Sequence, residues 1–136
     1  MIGETVAAIS TAKGKGGIAV IRISGEKSAE IIEKCFVSKG KSPVENPRRA
    51  VFGSVVDGDE VVDTAVCVYF LEGASFTGEA SAEISCHGGT AVTRAVLEAV
   101  FKAGAKPAEA GEFPRRAFVN GRMGLAEAEA LSNLLE

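Results

Sequence analysis

The chain has 136 residues, of which 46% are hydrophobic and 6% aromatic, so it is long enough for one domain with an aliphatic core. Its net charge of −3, without an acidic or basic tail, argues against a dedicated nucleic-acid-binding domain but leaves local RNA contact open. Three widely spaced cysteines favour reduced thiols, and neither a signal peptide nor a membrane span is expected, so we predict a cytoplasmic location and no membrane partner.

The first half of the chain predicts strands, one helix and a hairpin. Strands are predicted over residues 4–10 and 17–24, on either side of a Gly/Lys loop, and a helix over 25–36. The segment 37–47 is polar with two prolines, which indicates an exposed loop. The sequence "DGDE" (57–60) between two apolar runs predicts a β-hairpin, because glycine accepts the positive φ of a tight turn.

The second half predicts one more strand and three helices. The strand is expected over residues 81–86, and apolar side chains at i, i+3 and i+4 predict a helix over 89–104. A short helix within 111–121 ends at an Asn-Gly pair, and a last helix begins at 124. Strands and helices mix without strict β-α-β alternation, so the predicted class is α+β, a mixed sheet packed with helices. The last helix has no stop signal, which favours a truncated chain or a second domain beyond it.

His87, the only histidine, follows Cys86 and precedes two glycines. Neighbouring residues on a strand point to opposite faces, so this pair cannot easily act as nucleophile and base. One histidine with scattered cysteines does not form a recognisable metal site either. We therefore predict no catalytic residue and no metal site, and expect His87 at a strand-to-helix junction, as a structural hydrogen-bonding residue or in contact with a ligand.

The Gly/Lys loop at residues 11–17 invites comparison with phosphate-binding loops, but it does not meet the P-loop pattern. The segment "GKS" at 40–42 fails as well, because Cys35 stands where the first glycine should be, and Ala19 replaces the third glycine of the dinucleotide fingerprint. No nucleotide site is predicted. The loop is either a turn between paired strands or a place where the backbone approaches a ligand or a partner chain.

Several charged residues are candidates for ligand binding. Arg22 interrupts an apolar strand, where it must face solvent, be paired, or hold a ligand carboxylate or carbonyl with its guanidinium fork. Glu79 lies in a loop before a strand and is either solvated or accepts the two adjacent N–H donors of a pterin or guanine edge. Arg115, Arg116 and Arg122 form a basic end, expected to be solvated or to contact an anion or RNA.

Four motifs together resemble one family. In chain order they are "GKGGIAVIRISG" (14–25), "SFTGE" (75–79), "CHGG" (86–89) and "GEFPRRAFVNGRMGLAEAEA" (111–130). Each is weak alone, but their set and order closely resemble the N-terminal region of the bacterial and organellar tRNA-modification GTPases called MnmE or TrmE. The resemblance covers nearly the whole chain.

The resemblance implies a folate-binding and dimerisation domain at residues 1–120, similar in fold to the folate-binding domain of the glycine-cleavage T-protein, with residues 121–136 beginning a helical domain. It implies a cytosolic homodimer that binds a tetrahydrofolate derivative such as 5-formyltetrahydrofolate. The full-length family also uses GTP, Mg²⁺ and K⁺ and, with the flavoprotein MnmG (GidA), modifies C5 of the tRNA wobble uridine, so tRNA would be bound through the full complex. Without a P-loop, this chain is not expected to hydrolyse GTP alone.

Carried over by motif, the folate-contacting positions fall on Arg22 of "RISG", Glu79 of "TGE" and Arg122 after "FVN", where many family members have lysine. The departures from the family pattern are Ala12-Lys13 for Pro-Pro, Ala80 for an acid, Ala110 for proline and Gly124 for an acid. Two other functions stay open, namely a dimerisation domain without a ligand and a free-standing folate-dependent one-carbon transferase.

Overall fold

The computed structural model describes residues 3–11 and 17–135, with side chains as far as residue 132. Within them the strands are β1 (Val6–Ile9), β2 (Ile18–Ser24), β3 (Phe36–Val37), β4 (Val51–Asp57), β5 (Glu60–Phe70), β6 (Ser81–His87) and β7 (Lys106–Pro107). The helices are α1 (Ser28–Cys35), α2 (Thr90–Lys102), α3 (Glu112–Val119) and α4 (Leu125–Leu135). The strands form one sheet in the order β3-β4-β5-β6-β2-β1-β7. All pairs are antiparallel except β1 with β7, so the predicted α+β class with a mixed sheet is confirmed.

Most predicted elements are present with shifted ends. The predicted hairpin is β4 and β5, and its turn places Gly58 at φ +63°. β3 and β7 were not predicted, because two-residue strands are too short to show a hydrophobic period. The predicted turn in the Gly/Lys loop lies outside the described residues, since 12–16 are not among them.

The core lies between one face of the sheet and the helices α1 and α2. Alternation along β2 points Ile21 and Ile23 into this core and leaves Arg22 on the other face. The fully buried aliphatic side chains of the core include Ile21, Ile23, Ile31, Ile32, Val55, Ile84, Val96 and Val100. Burying each contributes about 1.5–3 kcal/mol before the loss of conformational entropy is counted.

The opposite face of the sheet is divided between α3 and solvent. α3 packs over the end of β2, where the Phe113 ring lies 5.5 Å from the guanidinium carbon of Arg22. Further along the sheet, four directly paired residues lie on this same face, namely Phe52, Val66, Ser85 and Val20. We call the part of the face that carries this row the open face. Phe52 is 69% exposed there.

The last two helices are joined by a short turn at residues 120–124. They pack closely, since a Cβ placed on Gly111 before α3 would lie 2.7 Å from the Ser132 hydroxyl of α4. The domain boundary predicted after residue 120 stays a prediction. Among the described helices, none is long and apolar enough to cross a membrane.

Candidate functional site

The loop at residues 75–79 is held on the ends of β2 and β6 by hydrogen bonds between buried hydroxyl groups. The Thr77 hydroxyl lies 2.7 Å from that of Ser24 at the end of β2 and 3.3 Å from that of Ser81 at the start of β6. The backbone N–H of Gly78 donates to the Ser75 hydroxyl at 3.0 Å. Because these hydroxyl groups are buried, their hydrogen bonds are protected from water and tie the loop firmly to the end of the sheet.

Glu79 ends this loop with its carboxylate held on one side. Its side chain is 16% exposed, and its Oε1 accepts hydrogen bonds from the Ser24 hydroxyl at 2.7 Å and from Nη1 of Arg116 at 2.9 Å. No donor from the described part of the chain reaches Oε2. Glu79 is thus a fixed acceptor with one oxygen available.

The position of Arg116 corrects the expectation of a solvated basic end. Its side chain is only 2% exposed, and its guanidinium donates to the carboxylates of Glu112 and Glu79. Arg115 next to it is exposed, because successive residues of a helix point in different directions. The sequence signal that was missed is the i, i+4 spacing of Glu112 and Arg116 on the same stripe as the apolar Phe113 and Ala117.

Arg122 packs against Gly78, the residue before Glu79. After α3 ends, Nδ2 of Asn120 donates to the carbonyl of Thr77 at 2.9 Å. A Cβ placed on Gly78 would lie 2.9 Å from Cβ of Asn120 and 3.1 Å from Cγ of Arg122, so the chain after α3 packs directly on the loop. Arg122 is exposed, and its guanidinium forms no hydrogen bond or ion pair with another described residue.

Arg22 lies next to the same loop but is paired elsewhere. Its Nε and Nη2 both lie 3.1 Å from Oε2 of Glu83, its cross-strand neighbour on β6. Its guanidinium carbon lies 4.7 Å from the ring centroid of Phe76 and 5.5 Å from that of Phe113. Of the alternatives left by the sequence, the structure therefore shows a half-buried, paired cation stacked on aromatic rings.

A cavity of about 270 Å³ opens beside Glu79. Its lining residues are Gly3, Glu26, Glu72, Gly78, Glu79, Ala80 and Asn120. Typical small-molecule sites span about 300–1,000 Å³, so this cavity suits a two-ring head group whose tail extends outwards. Three carboxylates in the lining favour N–H donors over anions. Neither Arg22 nor Arg122 lines the cavity, although Arg122 adjoins it through Gly78 and Asn120.

His87 lies at the predicted strand-to-helix junction, on the opposite face from buried Cys86. Its Nδ1 is 2.8 Å from Oδ1 of Asp63, and its backbone N–H donates to Oδ2 at 3.0 Å. Burial raises the pKa of the Asp63 carboxyl, but the hydrogen bonds from the backbone N–H and the ring of His87 together outweigh burial. The pKa of Asp63 therefore lies below its ordinary value. His87 thus hydrogen-bonds to Asp63, and its contact with a ligand, the other expectation from the sequence, stays a prediction. Among described side chains, no three His, Cys, Asp or Glu are arranged to hold a metal ion.

The fold and the site define an α+β domain with a ligand-sized cavity, walled by carboxylates, at one end of its sheet. Its sequence matches the family described as GTP-binding protein TrmE N-terminus over residues 5–122, and the chain belongs to this family. The family predicted from the four motifs is therefore confirmed.

Curated relatives of this chain are named tRNA modification GTPase MnmE. The protein of Clostridioides difficile (strain 630) is 43% identical over 137 residues, covering 99% of this chain and 30% of the relative. That of Geobacter sulfurreducens is 46% identical, covering 98% and 30%, and that of Porphyromonas gingivalis is 40% identical, covering 97% and 28%. The chain thus spans about 30% of the length of these relatives.

Proposed function

We propose that this domain binds a tetrahydrofolate derivative, with 5-formyltetrahydrofolate as the preferred form, and forms a homodimer. Glu79 accepts N–H donors from the pteridine ring in the adjoining cavity. Arg122 and Arg22 supply positive charge for the carbonyl, formyl or glutamate carboxylate groups of the ligand, either within one subunit or across the pair.

The observation that carries this proposal is the fixed carboxylate of Glu79 at a cavity of about 270 Å³. A carboxylate accepts hydrogen bonds only, and the reduced pteridine ring presents N–H donors along one edge. Arg122 lies across Gly78 with no partner among the described side chains, so it is available for the acceptor groups of the same ligand.

Isothermal titration calorimetry with 5-formyltetrahydrofolate tests this function. A charge-assisted hydrogen bond contributes about 1.5–3 kcal/mol, so Glu79→Gln should weaken binding about 10- to 100-fold. Glu72→Gln is the matched control, because Glu72 lines the same cavity but is exposed, and it should leave the affinity within about threefold of wild type. Absence of binding at millimolar ligand by a folded chain would contradict the proposal and favour a dimerisation domain without a ligand. Turnover of the bound folate by the isolated chain would instead favour a one-carbon transferase.

A second copy of the chain is the proposed occupant of the open face. This face carries Phe52 at 69% exposure next to the half-buried Val66, and the half-buried Val20 lies further along the same row, beyond Ser85. Apolar side chains exposed together on one face mark a surface that another protein chain can cover. Arg22 lies on the same face, so a second copy covering it would bring the two sites close together.

Sedimentation velocity tests the dimer separately from the ligand. Phe52→Glu places a charge in the open face and should shift the chain from dimer to monomer. Leu125→Glu is the control, because it adds the same charge at an exposed apolar residue that lies on α4 rather than on a strand of the sheet. A wild-type chain that is monomeric at micromolar concentration, or a Phe52→Glu chain that stays dimeric, would contradict this part of the proposal.

In the whole protein we propose that the folate held here supports modification of C5 of the tRNA wobble uridine in the cytoplasm, together with the flavoprotein MnmG. GTP, Mg²⁺ and K⁺ would act in parts of the protein beyond this chain. Weakening folate binding through Glu79→Gln in the full-length protein should then lower wobble modification while leaving GTP hydrolysis intact, and unchanged modification would contradict this role.

A further inference from the structure

Arg116 uses every donor of its guanidinium group within the fold. Nε and Nη2 donate to Oε2 of Glu112 at 3.0 and 2.7 Å, and Nη2 also donates to the carbonyl of Glu4 at 2.8 Å. Nη1 donates to Oε1 of Glu79 at 2.9 Å and to the carbonyl of Ser24 at 3.4 Å. These five contacts match the five N–H donors of arginine, so the group is held in one orientation.

The consequence for Glu79 concerns which of its oxygens a ligand can reach. Each carboxylate oxygen has about two acceptor positions. Those of Oε1 are taken by the Ser24 hydroxyl at 2.7 Å and by Arg116 at 2.9 Å. Ser24 and Arg116 are themselves buried, so a ligand that displaced these contacts would leave the buried Arg116 cation short of a partner. Oε2 is therefore the oxygen left available to a ligand in the cavity.

We propose that Arg116, with Ser24, is a positioning residue that fixes Glu79 so that the ligand is recognised through the single oxygen Oε2. This inference rests on the proposed folate function, and it replaces the two-oxygen, bidentate contact that the sequence alone suggested. The buried Arg116, and not the exposed Arg115 beside it, thus determines how Glu79 hydrogen-bonds to the edge of the pteridine ring.

Arginine is needed at this position because its planar fork serves acceptors in three directions. Lysine would keep the charge but offers three donors from one point, so it could not hold Glu112 and Glu79 together in the same geometry. Arg116→Lys should therefore loosen Glu79 while retaining a buried positive charge. Arg115→Lys is the matched control, since Arg115 is exposed and only reaches Glu109 and Glu112 at 3.9 and 4.0 Å.

The functional test compares two ligands, 5-formyltetrahydrofolate and the same compound without its 2-amino group. Wild type and Arg115→Lys should bind the parent compound about tenfold more tightly. This factor corresponds to the lower end of the free energy that one charge-assisted hydrogen bond contributes. Arg116→Lys should reduce this preference to less than about threefold, because a Glu79 carboxylate that is no longer fixed forms a weaker hydrogen bond with the 2-amino group. If Arg116 only stabilises the fold, the affinities for both ligands fall by the same factor, and that result would overturn the inference.

A second measurement does not depend on folate binding. In a crystal structure of the unliganded Arg116→Lys chain, we expect Oε1 of Glu79 to have left the Ser24 hydroxyl, whereas wild type and Arg115→Lys keep that contact. Should Arg116→Lys fail to fold, Ser24→Ala removes the other donor to Oε1 and should lower the ligand preference in the same direction. If wild type binds neither ligand, the proposed function fails, and the crystal structures decide the positioning role alone. An unmoved Glu79 in both variants would overturn it.

Discussion

Gly78 offers the sharpest test of how the loop and the chain after α3 pack together. Its φ of +86° lies in the left-handed region, and a Cβ there would meet Cβ of Asn120 at 2.9 Å and Cγ of Arg122 at 3.1 Å. Gly78→Ala therefore adds two penalties. The left-handed backbone costs about 1 kcal/mol for a residue with a Cβ. The contact costs about 1–3 kcal/mol more, because the chain at Asn120 must shift and strain its hydrogen bond to Thr77.

Gly73 separates these two penalties, because it has nearly the same positive φ but lacks the contact. Its φ is +87°, and a Cβ there would find nothing within 4 Å. Gly73→Ala should accordingly cost about 1 kcal/mol, the backbone penalty alone, whereas Gly78→Ala should cost about 2–4 kcal/mol. Urea unfolding followed by circular dichroism measures both free energies of unfolding.

The functional consequence of Gly78→Ala follows from the same contact. Because the new methyl group displaces Arg122, the variant should also bind 5-formyltetrahydrofolate more weakly than Gly73→Ala does. Equal losses of stability in the two variants would refute the packing described here, because the close approach of Asn120 and Arg122 would then contribute nothing.

Three further predictions address other parts of the molecule. Asp63→Asn should lower the free energy of unfolding by about 1 kcal/mol at pH 7. Because the pKa of Asp63 in the folded chain lies below its ordinary 3.8, this difference between variant and wild type should fade as the pH falls below about 4. A difference that is unchanged at pH 3 would contradict this prediction. Burial raises the pKa of Cys35 to about 12 and also raises that of Cys67, so both thiols should react with an aromatic disulfide reagent only after unfolding, and rapid reaction of the native chain would argue against their burial. Ile84→Ala should cost about 2–5 kcal/mol and the exposed Ile18→Ala less than about 0.5 kcal/mol in urea unfolding, whereas similar costs would place the core elsewhere.

The sequence determined the elements whose signals are local. Apolar periodicity predicted α2, and the Asp-Gly turn predicted the hairpin of β4 and β5, because both depend on residues that are neighbours along the chain. The four ordered motifs identified the family. They also named Arg22, Glu79 and Arg122. The structure packs Arg122 against Gly78, next to Glu79, but pairs Arg22 with Glu83.

Only the tertiary structure decided which charges are buried and what they contact. Arg115 and Arg116 are adjacent and chemically identical, yet α3 exposes the first and buries the second against Glu79, 37 residues away. No local pattern encodes that meeting, because it depends on how α3 docks on the end of β2 and on the loop at residues 75–79. Burial then makes the difference consequential, since a cation removed from water must have its donors satisfied, and satisfying them fixes the orientation of the carboxylate beside the cavity.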